Sequence, residues 1–198
     1  MKILVTGATG NVGKALIKYL LNAQKELQVL AGSRNVEQDQ KKHPPHPKLK
    51  WVPFDFHDLK TSEEALKQAD QLFLLRPPAI SDVNTVFKPL IEKTIETGIK
   101  AIVFLSVQGV EKSSIIPHHK IEALIVDAGL DYVFIRPGYF MQNLTTTLWK
   151  DLSEKDEIYL PAGEAAFIWT DVENIAECTA IAHLEFETLK NKALVITG

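Results

Sequence analysis

The feature that most limits what this chain can become is a glycine-rich turn held between a strand and a helix at its start. Ile3, Leu4 and Val5 form a short, mostly β-branched apolar run, the pattern of a strand buried on both faces. Thr6 to Gly13 follow as Thr-Gly-Ala-Thr-Gly-Asn-Val-Gly. Val12, Ala15, Leu16, Tyr19 and Leu20 then recur at helical spacing, so the helix begins inside the turn. Gly7 is free to take backbone angles that a side chain forbids. Gly10 lets the backbone approach a phosphate, and Gly13 lets the helix pack against the strand. The backbone around Thr9, Gly10, Asn11, Val12 and Gly13, with the positive end of the helix dipole, makes an anion site suited to a pyrophosphate. The plainer alternative is a turn that only joins two elements. Its position at the head of repeated strand–helix units favours the anion site.

The alternation continues along the chain. Residues 27–32, 50–54, 71–75, 101–105, 132–135 and 193–197 read as further strands. A helix over 81–97 has Val83, Val86, Phe87, Leu90, Ile91 and Ile95 as its buried stripe, a kink at Pro89 and a stop at Gly98. Another starts at Pro117 and stops at Gly129. A third is capped by Asp171 and carries His183 on its apolar face as a core histidine. Between Phe56 and residue 71, Thr61 or Ser62 caps a short helix with Glu63 and Glu64 in its first turn. Residues 35–49 read as a polar loop, with His43 and His46 solvated; no metal site is expected. After Gly138 the pattern loosens, and 139–151 is read as helical and 158–163 as a short strand and turn. This order predicts an α/β chain: a doubly wound parallel sheet of the Rossmann type with right-handed crossovers, forming one unit over 1–198.

Hydrophobic residues make up 45% of the 198 and charged residues 24%, and the net charge is −3. That balance offers no field for nucleic acid or an anionic membrane, and no apolar run reaches the length of a membrane span. The N-terminal apolar run is cut short by Thr6-Gly7, unlike a signal peptide. The single cysteine, Cys178, excludes an internal disulfide framework, and a cytoplasmic location is expected. It falls in an amphipathic stretch and reads as a packing residue.

Ser33 and Arg34 stand at the end of the second strand. In a dinucleotide fold an acid here binds the 2′-hydroxyl of NAD, whereas an arginine accommodates the 2′-phosphate of NADP. No acid appears until Glu37, and the planar fork of Arg34 suits phosphate. NADP(H) is therefore the expected cofactor, with NAD(H) as the alternative.

The fingerprint from Thr6 to Gly13 resembles that of the atypical short-chain dehydrogenases. Three further segments narrow the resemblance to the NmrA-like family: His119-Lys120-Ile121-Glu122, the run from Ile135-Arg136-Pro137-Gly138 to Leu144, and Ala166 to Val172. The likeness spans the whole chain and is closest to bacterial NAD(P)H:quinone oxidoreductase-like members. It implies that Asp55 and Phe56 sit at the adenine and that Leu75, Arg76 and Pro77 lie along the ribose. It also implies that Pro137, Gly138, Tyr139 and Phe140 line the nicotinamide side. Relatives continue past the last strand into a small substrate-binding lobe, which is expected to be reduced or absent here. Ordinary short-chain dehydrogenases use a Tyr-x-x-x-Lys pair; counting back from Lys120, the tyrosine position holds Ile116. The NmrA-like family commonly lacks that tyrosine as well.

Two functions follow. One is an NADPH-dependent oxidoreductase passing a hydride to a quinone or other small carbonyl acceptor, with the protein holding the two reactants together and excluding water. Lys120 then polarises the acceptor or anchors the ribose, and His118 or His119 donates a proton near neutral pH. Ser106, ending the fifth strand, orients a ligand or caps the following loop. The other function is a non-catalytic redox sensor that binds the dinucleotide and signals through a protein partner. A homodimer is left open in either case.

Overall fold

A strand buried on both faces sends alternate side chains into two different cores, and β1 (Lys2–Val5) does so: Ile3 and Val5 face one, Leu4 the other. The computed structural model describes residues 1–160 and 168–197. In chain order it continues with α1 (Asn11–Asn22), β2 (Gln28–Ser33), α2 (Val36–Lys42), β3 (Leu49–Pro53), α3 (Leu59–Leu66) and β4 (Gln71–Leu75). Next come α4 (Val83–Glu96), β5 (Ala101–Leu105), α5 (Pro117–Asp127), β6 (Asp131–Pro137) and β7 (Tyr139–Phe140). The chain closes with α6 (Trp149–Lys155), β8 (Trp169–Thr170), α7 (Val172–Leu184), α8 (Phe186–Leu189) and β9 (Lys192–Ile196).

The main sheet has the strand order β3-β2-β1-β4-β5-β6-β9, and every neighbouring pair is parallel. On one face Ile3, Val5, Val29, Phe73, Val103 and Val133 pack against α1 and α7. On the other, Leu4, Leu30, Leu72, Leu74, Ile102 and Phe104 pack against α3, α4 and α5. This is the doubly wound arrangement expected from the alternation of elements. A separate pair, β7 with β8, is also parallel. Among the described residues no helix is long and apolar enough to cross a membrane.

The structure departs from the sequence reading in several places. The polar stretch at 36–42 is the helix α2, which buries none of its residues. Its ends hold it: the Asn35 side chain accepts from Gln38 N, Glu37 and Asp39 sit in the first turn, and Lys41 and Lys42 sit in the last. The short helix α3 is capped by Asp58, which accepts from the backbone of Lys60 and Thr61, and neither Thr61 nor Ser62 is the cap. Glu63 and Glu64 consequently fall beyond the first turn and pair with Lys67. On α4 the residue that completes the stripe of Phe87 and Leu90 is Thr94, whose hydroxyl donates to the Leu90 carbonyl at 2.8 Å, while Ile95 is turned to solvent. β6 runs on through Arg136 and Pro137 because β9 pairs with it there. Residues 139–151 are not one helix: β7 is extended, a 3₁₀ turn covers Met141–Thr145, and α6 begins only at Trp149. Of the strand and turn read at 158–163, residues 158–160 carry no regular structure and the rest lies outside the described residues.

Candidate functional site

β1 lies beside β4, yet the chain leaves β1 towards β2. At such a reversal of strand order a crevice opens beyond the carboxyl ends of the strands. Thr6 fixes its floor. The buried hydroxyl donates to the Phe73 carbonyl at 3.0 Å and accepts from Leu75 N at 2.9 Å, stapling β1 to β4 just before the turn. Gly7 then takes a φ of +63°, and Gly10 N donates back to the Gly7 carbonyl at 2.9 Å. A Cβ on Gly13 would stand 2.2 Å from that same carbonyl oxygen, so only glycine allows α1 to start this close to the turn.

Helix starts here are of two kinds: α2, α3, α4 and α7 carry a side-chain cap, and α1, α5, α6 and α8 carry none. Asn35, Asp58, Asp82 and Asp171 cap α2, α3, α4 and α7 with side-chain oxygens. α1 begins on Gly10 with no side-chain cap and no acidic residue in its first turn. Its first N–H groups and the positive end of its dipole are left for an external anion.

Beyond the ends of β1, β2, β3 and β4 lies a cleft of about 470 Å³. The structure brings Gly7, Thr9, Arg34, Asp55, Phe56 and Pro77 together on its walls, with Ser33, Asn35, Gln38, Asp39 and Ile80 among the others. Arg34 is exposed and makes no ion pair among the described residues. Phe56 packs edge-on against Phe54 and tilts against Phe87, giving that wall an aromatic surface. No acid precedes Glu37 in the sequence after β2, yet the fold brings one to the strand end. α2 turns back over the strand end, and the Ser33 hydroxyl donates to Asp39 Oδ2 at 2.5 Å. Sequence distance hid this acid, which stands six residues beyond Ser33 and reaches it only through the fold of the turn between them.

Other expected residues stand outside that cleft. Leu75 packs under the turn, its Cδ2 3.1 Å from where a Gly7 Cβ would stand. Arg76 Nη1 donates to the carbonyls of Pro77, Pro78 and Ile80, at 2.7 Å for Ile80, and so braces the loop after β4. Its Nε faces His118 Nε2 at 3.5 Å. Burial and the adjacent Arg76 charge push His118 down to about 4, so this imidazole is neutral at neutral pH, contrary to the expectation of a proton donor there. His119 Nδ1 faces the Val110 carbonyl at 3.2 Å. A carbonyl only accepts, so the proton sits on Nδ1, and Nε2 donates only when the ring is charged. Lys120 is exposed on the first turn of α5. Ser106 Oγ is buried with no hydrogen-bond partner among the described residues.

The whole chain, residues 1–198, matches the model of the NmrA-like family. It belongs to that family. Prestalk A differentiation protein A of Dictyostelium discoideum is 32% identical over 199 residues, covering all of this chain and 64% of that protein. An NAD(P)H azoreductase of Xenophilus azovorans is 26% identical over 200 residues, covering 99% of this chain and 68% of its own. An NADPH-dependent quinone oxidoreductase from Escherichia coli, solved with NADPH, superposes with a TM-score of 0.84 at 20% identity, over all of this chain and 69% of that one. The chain thus spans about two thirds of the length of these relatives.

In this NmrA-like chain the segments that carry the family likeness are tied to one another. Arg136 grips Glu122 with two bonds, Nε to Oε1 at 3.0 Å and Nη2 to Oε2 at 2.6 Å. Nη1 reaches Glu111 at 3.3 Å. This planar pair locks α5, which bears His119 and Lys120, to the end of β6, and the bond to Glu122 raises the Arg136 pKa above its ordinary value. Gln142 Nε2 donates to Asp171 Oδ1 at 3.0 Å, and its Oε1 accepts from Val172 N at 3.0 Å. That joins the turn after β7 to the start of α7. A Cβ on Gly138 would lie 2.4 Å from the Ile168 carbonyl oxygen, so glycine is required just before β7, where the chain passes the residue that leads into β8. Tyr139 meets Trp169 edge-on, with ring centroids 5.2 Å apart.

Proposed function

We propose that this chain binds NADP(H) at the glycine turn and catalyses hydride transfer to a quinone-like small acceptor. The observation that carries the reading is the glycine turn that leads into the uncapped start of α1, its Gly7 and Thr9 lining a cleft that also holds Arg34. The fit is supported by the missing cap, the Gly7 and Gly13 geometry and the Arg34 guanidinium, which makes no ion pair among the described residues. The relative described as an NAD(P)H azoreductase and the structurally similar NADPH-dependent quinone oxidoreductase point the same way.

On this reading the backbone of Gly10, Asn11, Val12 and Gly13 holds the pyrophosphate, and Arg34 meets the 2′-phosphate with its fork. Phe56 and Asp55 flank the adenine. Pro77 lies along the ribose, while Ser106 and Pro137 to Phe140 border the nicotinamide end. The bound dinucleotide supplies the hydride. Lys120 supplies a positive charge towards the acceptor oxygen, and solvent or a charged His119 supplies the proton.

Steady-state NADPH oxidation with a panel of quinones tests the proposal. Turnover is expected in the wild type. Replacing Lys120 with Met should lower kcat and kcat/KM together if the lysine acts on the acceptor in the transition state. An increase in the NADPH dissociation constant with kcat preserved would make Lys120 a ribose anchor instead. A second reading, a non-catalytic dinucleotide sensor, is favoured by Ile116 at the acid's position beside a neutral His118. Tight NADPH binding without turnover on any acceptor would decide for it.

A further inference from the structure

We propose that Asp39 is a specificity-determining residue that opposes Arg34, so that the cleft accepts the dinucleotide with or without a 2′-phosphate. The inference rests on the cofactor reading above. Asp39 lines the same cleft as Arg34 and is half-buried there. Its carboxylate is fixed in place. The Ser33 hydroxyl donates to Oδ2 at 2.5 Å, and Asp39 N donates to the Asn35 carbonyl at 3.1 Å. Oδ1 has no hydrogen-bond partner among the described residues.

Two effects follow from this placement. A carboxylate only accepts, so it suits a ribose 2′-hydroxyl and repels a 2′-phosphate dianion. Arg34, which only donates, prefers the phosphate. Asp39 also occupies Ser33. That hydroxyl has one proton, already given to Oδ2, and it accepts from Asn35 N at 2.9 Å. A buried serine at the end of β2 would otherwise have a proton for the phosphate. Asp39 thus adds repulsion and withholds a donor, while Arg34 pulls the other way.

The test is calorimetric titration of the full chain with NADPH and with NADH, in wild type, Asp39→Asn and Asp39→Ala, with melting curves to confirm folding. Asp39→Asn removes the charge and keeps an oxygen for Ser33 to donate to. Asp39→Ala removes the charge and frees the Ser33 proton. The affinity ratio of NADPH over NADH should rise about tenfold in Asp39→Asn, the lower end for a hydrogen bond to a charged group, and further in Asp39→Ala. Folded variants that both keep the wild-type ratio would overturn the inference alone. No binding of either nucleotide by the wild type would overturn it together with the cofactor reading.

Discussion

Two imidazoles are held neutral inside this chain. His183 is fully buried on α7, with Nδ1 against Gln71 Oε1 at 2.7 Å and Phe73 edge-on, and burial pushes it down to about 3. His118 lies at about 4, for burial and the Arg76 charge. Both folded values fall below the ordinary 6.5, so the unfolded chain takes up these protons first as pH falls. Their contribution to stability is therefore complete above about pH 6.5 and is lost progressively towards pH 4 and 3, at up to about 1.4 kcal/mol per pH unit for each ring. Urea unfolding at pH 7.5, 6 and 5 should show a falling midpoint. The carboxylates of Asp58, Asp82 and Asp171 all titrate below their ordinary range and stay ionised throughout. A midpoint that is flat from pH 7.5 to 5 would mean that the two rings are accessible to protons in the fold. The place of His183 was legible from its position on an apolar stripe. The neutrality of His118 was not, because Phe104 reaches it from β5 and Arg76 from the loop after β4.

Among elements, the clasp between α5 and β6 carries the next prediction. Glu122 is buried and Arg136 is mostly so, and their two-bond contact spans fourteen residues of sequence. A double-mutant cycle of Glu122→Gln and Arg136→Met, read by denaturant unfolding, should give a coupling of about 1–3 kcal/mol. Additive losses would show that the pair is a bystander. Which elements form was readable where the signal is local. Strands announced themselves by apolar runs, and Gly98 and Gly129 end their helices at positive φ. α2 was not readable from hydrophobic periodicity, because it buries nothing and is fixed by Asn35 and its terminal charges. The start of α3 shifted because Thr61 and Ser62 lie inside the helix and donate their hydroxyls to Asp58 Oδ2 and the Asp55 carbonyl, while the Asp58 carboxylate accepts at the cap. The family segments were legible as a likeness, but their contacts were not: Glu122 with Arg136 and Gln142 with Asp171 are tertiary pairs.

For the molecule as a whole, the strand order follows from alternating elements, and the crevice follows from the strand order. The turn geometry required of Gly7 and Gly13 was visible in eight residues. Arg34 and Asp55 were visible as strand-end residues, and the cleft gathers both with Thr9, Phe56 and Pro77. Asp39 entered the same cleft unannounced, because its approach depends on how α2 folds back. The proposed function stands first on the glycine turn holding a dinucleotide pyrophosphate. Calorimetric titration of wild type and Gly10→Asp with NADPH is the test of that contact. A Cβ at residue 10 would lie 3.3 Å from the Gly7 carbonyl oxygen, a tight contact that a shift of a few tenths of an ångström relieves, and melting curves check that the variant folds. Its carboxylate would then stand at the start of α1, where the pyrophosphate is placed. Saturable binding to the wild type, weakened at least about a hundredfold in a folded Gly10→Asp chain, is the predicted result. Equal affinity in the two folded proteins would show that the glycine turn does not hold the pyrophosphate.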